Sequence, residues 1–272
     1  MAVQVSFRFV IVFSLLLGCC LAGDDRSVLD PIGNYCESNP YDYDVIPDFK
    51  KLVDESLLAI KAGTLYSPFT NLTVHKKDNF VYSMAQCRID VEPEECATCI
   101  NAAVQQVVDD CQYGPDGRVW YDWCMVRYST TNFFCKLDTT CFVHYQSPGV
   151  ATWNGFAKIL YDLFMKEIGS QIAKPWNQGF GKSVYQLDDY NALYGLASCT
   201  KDLTFYLSST LALQALAAAV EQFQDICQNS IGCRVVTSNC YVRYETYPFF
   251  NPYNGKKNIT TTKAKAETPS LP

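Results

Sequence analysis

Cys124-Met125-Val126-Arg127-Tyr128, with Arg118-Val119 shortly before it, returns in the second half of the chain as Cys240-Tyr241-Val242-Arg243-Tyr244 after Arg234-Val235. Upstream, Val81-Tyr82-Ser83-Met84-Ala85-Gln86-Cys87 returns as Leu193-Tyr194-Gly195-Leu196-Ala197-Ser198-Cys199. The offset is 112 at Cys199 and 116 at Cys240, so the second copy carries a four-residue insertion between these points. Self-similarity at one spacing means one folding unit used twice. The copies are expected at 30–133 and 139–250, followed by a polar tail over 251–272.

Inside each copy the apolar residues recur at helical spacing in two places. Phe49, Leu52, Val53, Leu57 and Ile60 share one face, as do Phe156, Ile159, Leu160, Leu163, Phe164 and Ile168. Cys99, Ile100, Ala103, Val104, Val107 and Val108 form a second stripe, matched by Ala215, Leu216, Ala219, Val220, Phe223 and Ile226. Amphipathic helices need a surface to lie on. The Val-, Tyr- and Trp-rich segments Arg118–Tyr128 and Arg234–Tyr244 supply an antiparallel sheet for that purpose. The predicted fold is α+β: two tandem domains, each with two helices packed on one face of an antiparallel sheet.

The N-terminus reads as a secretory leader over 1–22. Arg8 precedes the apolar run Phe9 to Leu17, and small residues follow to Ala22. Cleavage there removes Cys19 and Cys20 from a total of fourteen cysteines and leaves an even set in an oxidising compartment, enough for six disulfides. No later stretch approaches membrane-spanning length. Asn71-Leu72-Thr73 and Asn258-Ile259-Thr260 are sequons, so Asn71 and Asn258 are candidate glycosylation sites.

Composition excludes several functions. A formal charge of −6, with basic residues clustered only in the tail, leaves no counterion-driven grip on nucleic acid. Only His75 and His144 are available for imidazole chemistry, so a His-based catalytic base or metal centre is not expected. Asp109-Asp110 and Glu94-Glu95, adjacent on helices, point apart and do not make the paired carboxylates of a hydrolase. No enzyme activity, cofactor or metal is expected.

Cys87-x8-Cys96-x2-Cys99, followed by a helix ending at Cys111 and by Arg118 and the Cys124–Tyr128 strand, resembles the ginkbilobin-homologous or stress-antifungal domain of plants. A leader with two such units and no kinase is similar to the cysteine-rich repeat secretory proteins. The resemblance implies the pairs Cys36–Cys111, Cys87–Cys96 and Cys99–Cys124. In the second copy Ala212 and Ala215 stand where Cys96 and Cys99 are expected. Cys199 and Cys240, each deprived of its partner, could then meet. Cys141–Cys227 would restore the N-terminal staple and leave Cys135 with Cys233; the local alternative is Cys135–Cys141 with Cys227–Cys233.

The resemblance also implies a function: a secreted, apoplastic defence or stress protein that binds a mannose-type or cell-wall glycan, with antifungal activity. The alternative is an extracellular module that docks on another protein. In ginkbilobin-type lectins an Asn, an Arg and a Glu hold mannose. The matching positions read Glu37, Arg118 and Ser129 in the first copy, and Phe142, Arg234 and Glu245 in the second. Arg234 with Glu245 is therefore the better candidate sugar site and Arg118 the weaker one; the bland alternative is a cross-strand ion pair on a solvated sheet face. The aromatics Trp120, Tyr121, Trp123, Tyr128, Phe133 and Phe134 are divided between core and a sugar-stacking surface by strand alternation.

Overall fold

The computed structural model describes residues 29–38, 48–205, 209–250 and 261–263, with backbone alone for 141–144, 205 and 261–263. The expected leader, Asn258 and most of the tail lie outside the described residues. The first copy contains β1 (Gly33–Cys36), α1 (Phe49–Thr64), β2 (Phe69–Lys76), β3 (Asn79–Cys87), α2 (Pro93–Cys111), β4 (Asp116–Trp120) and β5 (Cys124–Ser129). Its antiparallel sheet has the order β1-β4-β5-β3-β2. The second contains β6 (Cys141–Gln146), α3 (Phe156–Tyr161), which runs through a π-helical stretch Asp162–Ile168 into α4 (Gly169–Ile172), then β7 (Phe180–Gln186) and β8 (Ala192–Cys199). After α5 (Asp202–Phe205) come α6 (Thr210–Gln222) with a π-helical end Phe223–Cys227, β9 (Cys233–Thr237) and β10 (Cys240–Glu245). Its sheet has the order β11-β7-β8-β10-β9-β6, the same topology with one strand added, because β11 (Thr261–Lys263) from the tail joins β7 in parallel.

Each sheet is covered by helices on one face. In the first copy Phe49, Leu52, Val53, Leu57 and Ile60 of α1 and Ile100, Ala103 and Val107 of α2 pack on Val81, Ala85, Val119, Val126 and Tyr128. The start of α2 is specified locally: Pro93 opens the first turn, and Glu92 and Glu95 close a capping box that satisfies otherwise orphaned N–H groups. In the second copy the equivalent core gathers Phe156, Leu163, Phe164, Ile168, Leu216, Ala219 and Phe223 against Leu193, Val235, Val242 and Tyr244. Strands β1 and β2 and their counterparts β6 and β7 were not expected; the alternation of Leu72 and Val74 with Asn71, Thr73 and His75 was the available signal for β2.

Cys87 and Cys124 are directly opposite on β3 and β5, yet each is bonded to the first turns of α2, in Cys87–Cys96 and Cys99–Cys124, while Cys36–Cys111 ties β1 to the helix end. In the second copy Cys199 and Cys240 occupy the same cross-strand pair and, with Ala212 and Ala215 in the core they share, are bonded to one another. Cys227 is bonded to Cys233, as the local alternative had it, and not to Cys141, while the other half of that alternative, Cys135–Cys141, is not formed. Cys135 is a free thiol, so Cys135–Cys233 is corrected too: Cys233 is buried on the helix-facing side of β9, whereas Cys135 sits between the copies with its backbone N–H and thiol both donating to Asp202.

Candidate functional site

The uncovered faces of the two sheets meet. Ile32 and Trp120 of the first copy pack with Phe180, Leu196, Val236, Tyr241 and Phe250 of the second in a third apolar cluster, flanked by Tyr35, Met125, Val184 and Tyr194. Burying side chains of this size is worth roughly 1.5–3 kcal/mol each, so the contact is cohesive without its polar groups. All three candidate sugar-binding residues lie in or beside this contact.

Strand alternation puts Arg118 of β4 and Arg127 of β5 side by side on the inter-copy face, as Cα partners. Two like charges at that spacing need a shared anion. Asp116, two residues before Arg118 and so on the same face, supplies it: Arg118 donates Nε to Oδ1 at 2.6 Å and Nη2 to Oδ2 at 3.1 Å, and Arg127 donates Nη2 to Oδ2 at 2.9 Å. The Phe133 ring lies 4.0 Å from the Arg127 guanidinium carbon and the Tyr35 ring 4.9 Å from that of Arg118. Arg118 also reaches across, donating Nη1 to Ser238 Oγ of the second copy and to Asp138 at 3.2 Å. Ser238 in turn donates to Asp138 at 2.6 Å. Burial works against the charge of Asp138, but the Ser238 and Thr140 bonds and Arg118 outweigh it and hold its carboxyl below the usual range.

The second copy repeats the pair. Arg234 of β9 and Arg243 of β10 are Cα partners, and Arg243 donates Nε to Glu245 at 2.9 Å and Nη2 to Tyr247 at 3.0 Å. Asp122, from the β4–β5 turn of the first copy, comes within 3.4 Å of Arg234 and 3.7 Å of Arg243 and accepts from the Tyr241 hydroxyl at 2.8 Å. Ser238 occupies the matching position in the β9–β10 turn. Each turn therefore reaches the arginine of the other copy. Gln86 adds a backbone clamp, donating to the Cys199 carbonyl at 3.1 Å and accepting from the Lys201 N–H at 2.9 Å. Arg88 grips Asp90 with two bonds and the Asp122 carbonyl with a third, and Lys182 of the second copy stands 3.6 Å from Asp90.

Arg234 is 2% exposed, Glu245 1% and Arg118 6%. Arg234 and Glu245 belong to one cluster, but Glu245 hydrogen-bonds Arg243, and the face that carries them is covered by the other copy rather than solvated. Burial raises the Glu245 carboxyl above its ordinary range despite Arg243 and Arg234, and burial pushes the Tyr241 hydroxyl up to about 12. Glu37 is exposed at the end of β1, its N–H bonded to the Asp116 carbonyl. The side chain of Phe142 is outside the description. Of the aromatics, Tyr121 and Tyr128 are core, Trp120 lies in the inter-copy contact, and Phe133 covers Arg127. Sequence reasoning missed Asp116, Asp122, Arg127, Arg243 and Gln86. Its available signal was that both arginines of each pair survive in both copies.

Among the described residues no cluster of three or more His, Cys, Asp or Glu side chains is placed to hold a metal, and no helix is long and apolar enough to cross a membrane. On the helix side of the second copy, Leu160, Tyr161, Met165, Val220 and Phe223 line an open groove between α3 and α6, where both helices turn π-helical; Tyr161 is 56% exposed.

A protein-family model described as salt stress response/antifungal matches residues 35–131. The chain is 36% identical over 233 residues to cysteine-rich repeat secretory protein 55 of Arabidopsis thaliana, across 84% of this chain and 86% of that protein. It is 32% identical over 167 residues to an antimicrobial ginkbilobin-2-like protein of Castanea crenata, across 61% and 67% of the two. In fold it is similar to the crystal structure of the tandem DUF26 ectodomain of the Arabidopsis receptor-like protein PDLP8, with a TM-score of 0.65 and 22% identity over 79% of this chain and 98% of that one.

Proposed function

The chain belongs to the cysteine-rich repeat secretory family, and from that premise we propose that it works outside the cell by binding another extracellular protein. The five disulfides among the described residues fit an oxidising compartment. The observation that carries the reading is the use made of the sugar-site positions. Arg118, Arg234 and Glu245 are buried in the contact between the copies and hold each other's neighbours, so a sugar hydroxyl would have to displace Asp116, Asp138 or Arg243 to reach them. Breaking such buried pairs costs several kcal/mol, more than a sugar hydroxyl returns. A protein partner needs none of these groups, and the Tyr161 groove offers it apolar area with a polar rim. Antifungal activity is a second reading, supported by the description of the matching family model and by the antimicrobial name of the Castanea relative.

The secreted chain, applied to mannose resin and used separately to capture cross-linked extracellular proteins, tests this. We expect no mannose-competable retention, and capture of a protein that is lost with Tyr161→Ser. Retention on mannose that Glu245→Gln abolishes would overturn the proposal and restore the lectin.

A further inference from the structure

β2 is an edge strand of the first sheet, and among the described residues nothing pairs with its outer side, whereas the matching edge β7 is covered by β11. An eight-residue open edge invites pairing with other chains unless something blocks it. Leu72 and Val74 point to the helices, where they pack on the core, so Asn71, Thr73 and His75 point to the opposite face and are exposed. On that same face His75 stacks on Phe80 at 5.4 Å, Phe80 on Tyr82 at 6.3 Å, and Tyr82 meets Phe134 edge-on at 5.7 Å. Phe80 is 42% exposed. The result is a strip of rings beside an open edge. Thr73 lies directly opposite Tyr82 and Asn71 opposite Met84, which places Tyr82 diagonal to Asn71, about 7 Å away.

We infer that Asn71 carries an N-linked glycan whose first sugars lie over the Phe80–Tyr82 strip and block the β2 edge. Asn71-Leu72-Thr73 is an N-x-Thr acceptor, and Asn71 and Thr73 are both exposed on one face of the strand. The donor is a lipid-linked oligosaccharyl diphosphate. The Asn71 amide nitrogen bonds to the anomeric carbon of the first sugar, the bond from that carbon to the phosphate oxygen breaks, the lipid diphosphate leaves, and the amide proton passes to the transferring enzyme's base. No electrons change hands. The apolar C–H faces of the sugars cover the rings, their hydroxyls face water, and the bulk at the edge prevents a second strand from docking.

The test uses the full chain secreted from a eukaryotic host and mapped at peptide level. The Asn71 peptide is expected to carry a glycan that peptide N-glycosidase removes with conversion of Asn71 to Asp; Thr73→Val is expected to lose it and Thr73→Ser to keep it. An unmodified Asn71 in the secreted wild type overturns the inference. Hydroxyl-radical footprinting of the folded protein, before and after enzymatic deglycosylation, reads the covering without relying on a variant's folding. Phe80 and Tyr82 should oxidise several-fold faster once the glycan is gone. Unchanged oxidation overturns the placement over the rings.

Discussion

The two copies solve one electrostatic problem from opposite strands. Both place an arginine pair across neighbouring strands, Arg118 with Arg127 and Arg234 with Arg243. In the first copy the neutralising carboxylate is Asp116 on β4, with Ser129 opposite it on β5. In the second it is Glu245 on β10, and the residue matching Asp116 is Gly232, where an added Cβ would overlap the Glu245 carboxylate. The carboxylate has changed strands while the space it fills has not. What the fold keeps is a buried carboxylate bonded within the arginine pair, to both arginines in the first copy and to Arg243 in the second, and a Glu retained at a sugar-binding position is explained by that need without any sugar.

The comparison breaks first at the carboxylates. Asp116 binds both arginines of its pair, so Asp116→Asn is expected to cost about 3–5 kcal/mol in denaturant unfolding, the range for breaking a buried ion pair. Glu245→Gln should cost clearly less, because Tyr247 and Asp122 still attend Arg243 and the buried carboxylate is already disfavoured. Equal losses would show that the two anions are not alternative solutions.

Staples give the next difference. In the first copy, bridges fix both ends of α2 to strands. In the second, Cys199–Cys240 joins strand to strand, and α6 is anchored only through Cys227–Cys233 beyond its C-terminal end. A bridge is typically worth about 2–4 kcal/mol. Limited proteolysis under graded reductant should therefore cut within 210–227 before it cuts α2. Cleavage in α2 first would mean that noncovalent packing, not the bridges, sets the order.

The smallest expected effect is opposite acid responses at the two seams. Asp138 has a lowered carboxyl, so its contribution is present above the unfolded value of 3.8 and is lost as pH falls through the folded value. Glu245 has a raised one, so its contribution is present below the unfolded value of 4.5 and is lost as pH rises through the folded value. In Tm against pH, Ser238→Ala should flatten the acid limb below about pH 4, and Glu245→Gln should flatten the decline above about pH 4.5. A common shift in both variants at all pH values would remove the distinction.

The repeat, the helix stripes and the β-prone ends were legible because they are local: periodicity, spacing and cap residues such as Pro93 act within a few turns of chain. The first-copy pairing came with the family resemblance, and the loss of cysteines at Ala212 and Ala215 brought Cys199 to Cys240. Neither Cys135 as a free thiol nor Cys227–Cys233 follows from spacing, because alternative pairings leave the same count of cysteines.

The sequence by itself therefore determined two copies of an α+β unit, which face of each helix is buried, and that arginines stand at fixed points of two strands. It also marked Asn71-Leu72-Thr73 as a sequon, while the strand that puts Asn71 and Thr73 on one face came from the structure. Only the tertiary structure decided what those arginines do. Whether a polar strand face meets water or another sheet depends on how distant segments dock, and here Asp122, Ser238, Asp138 and Gln86 come from the other copy or from the chain between the copies. Burial by a partner more than 100 residues away turns a solvated, sugar-ready pair into a seam that holds the two halves together.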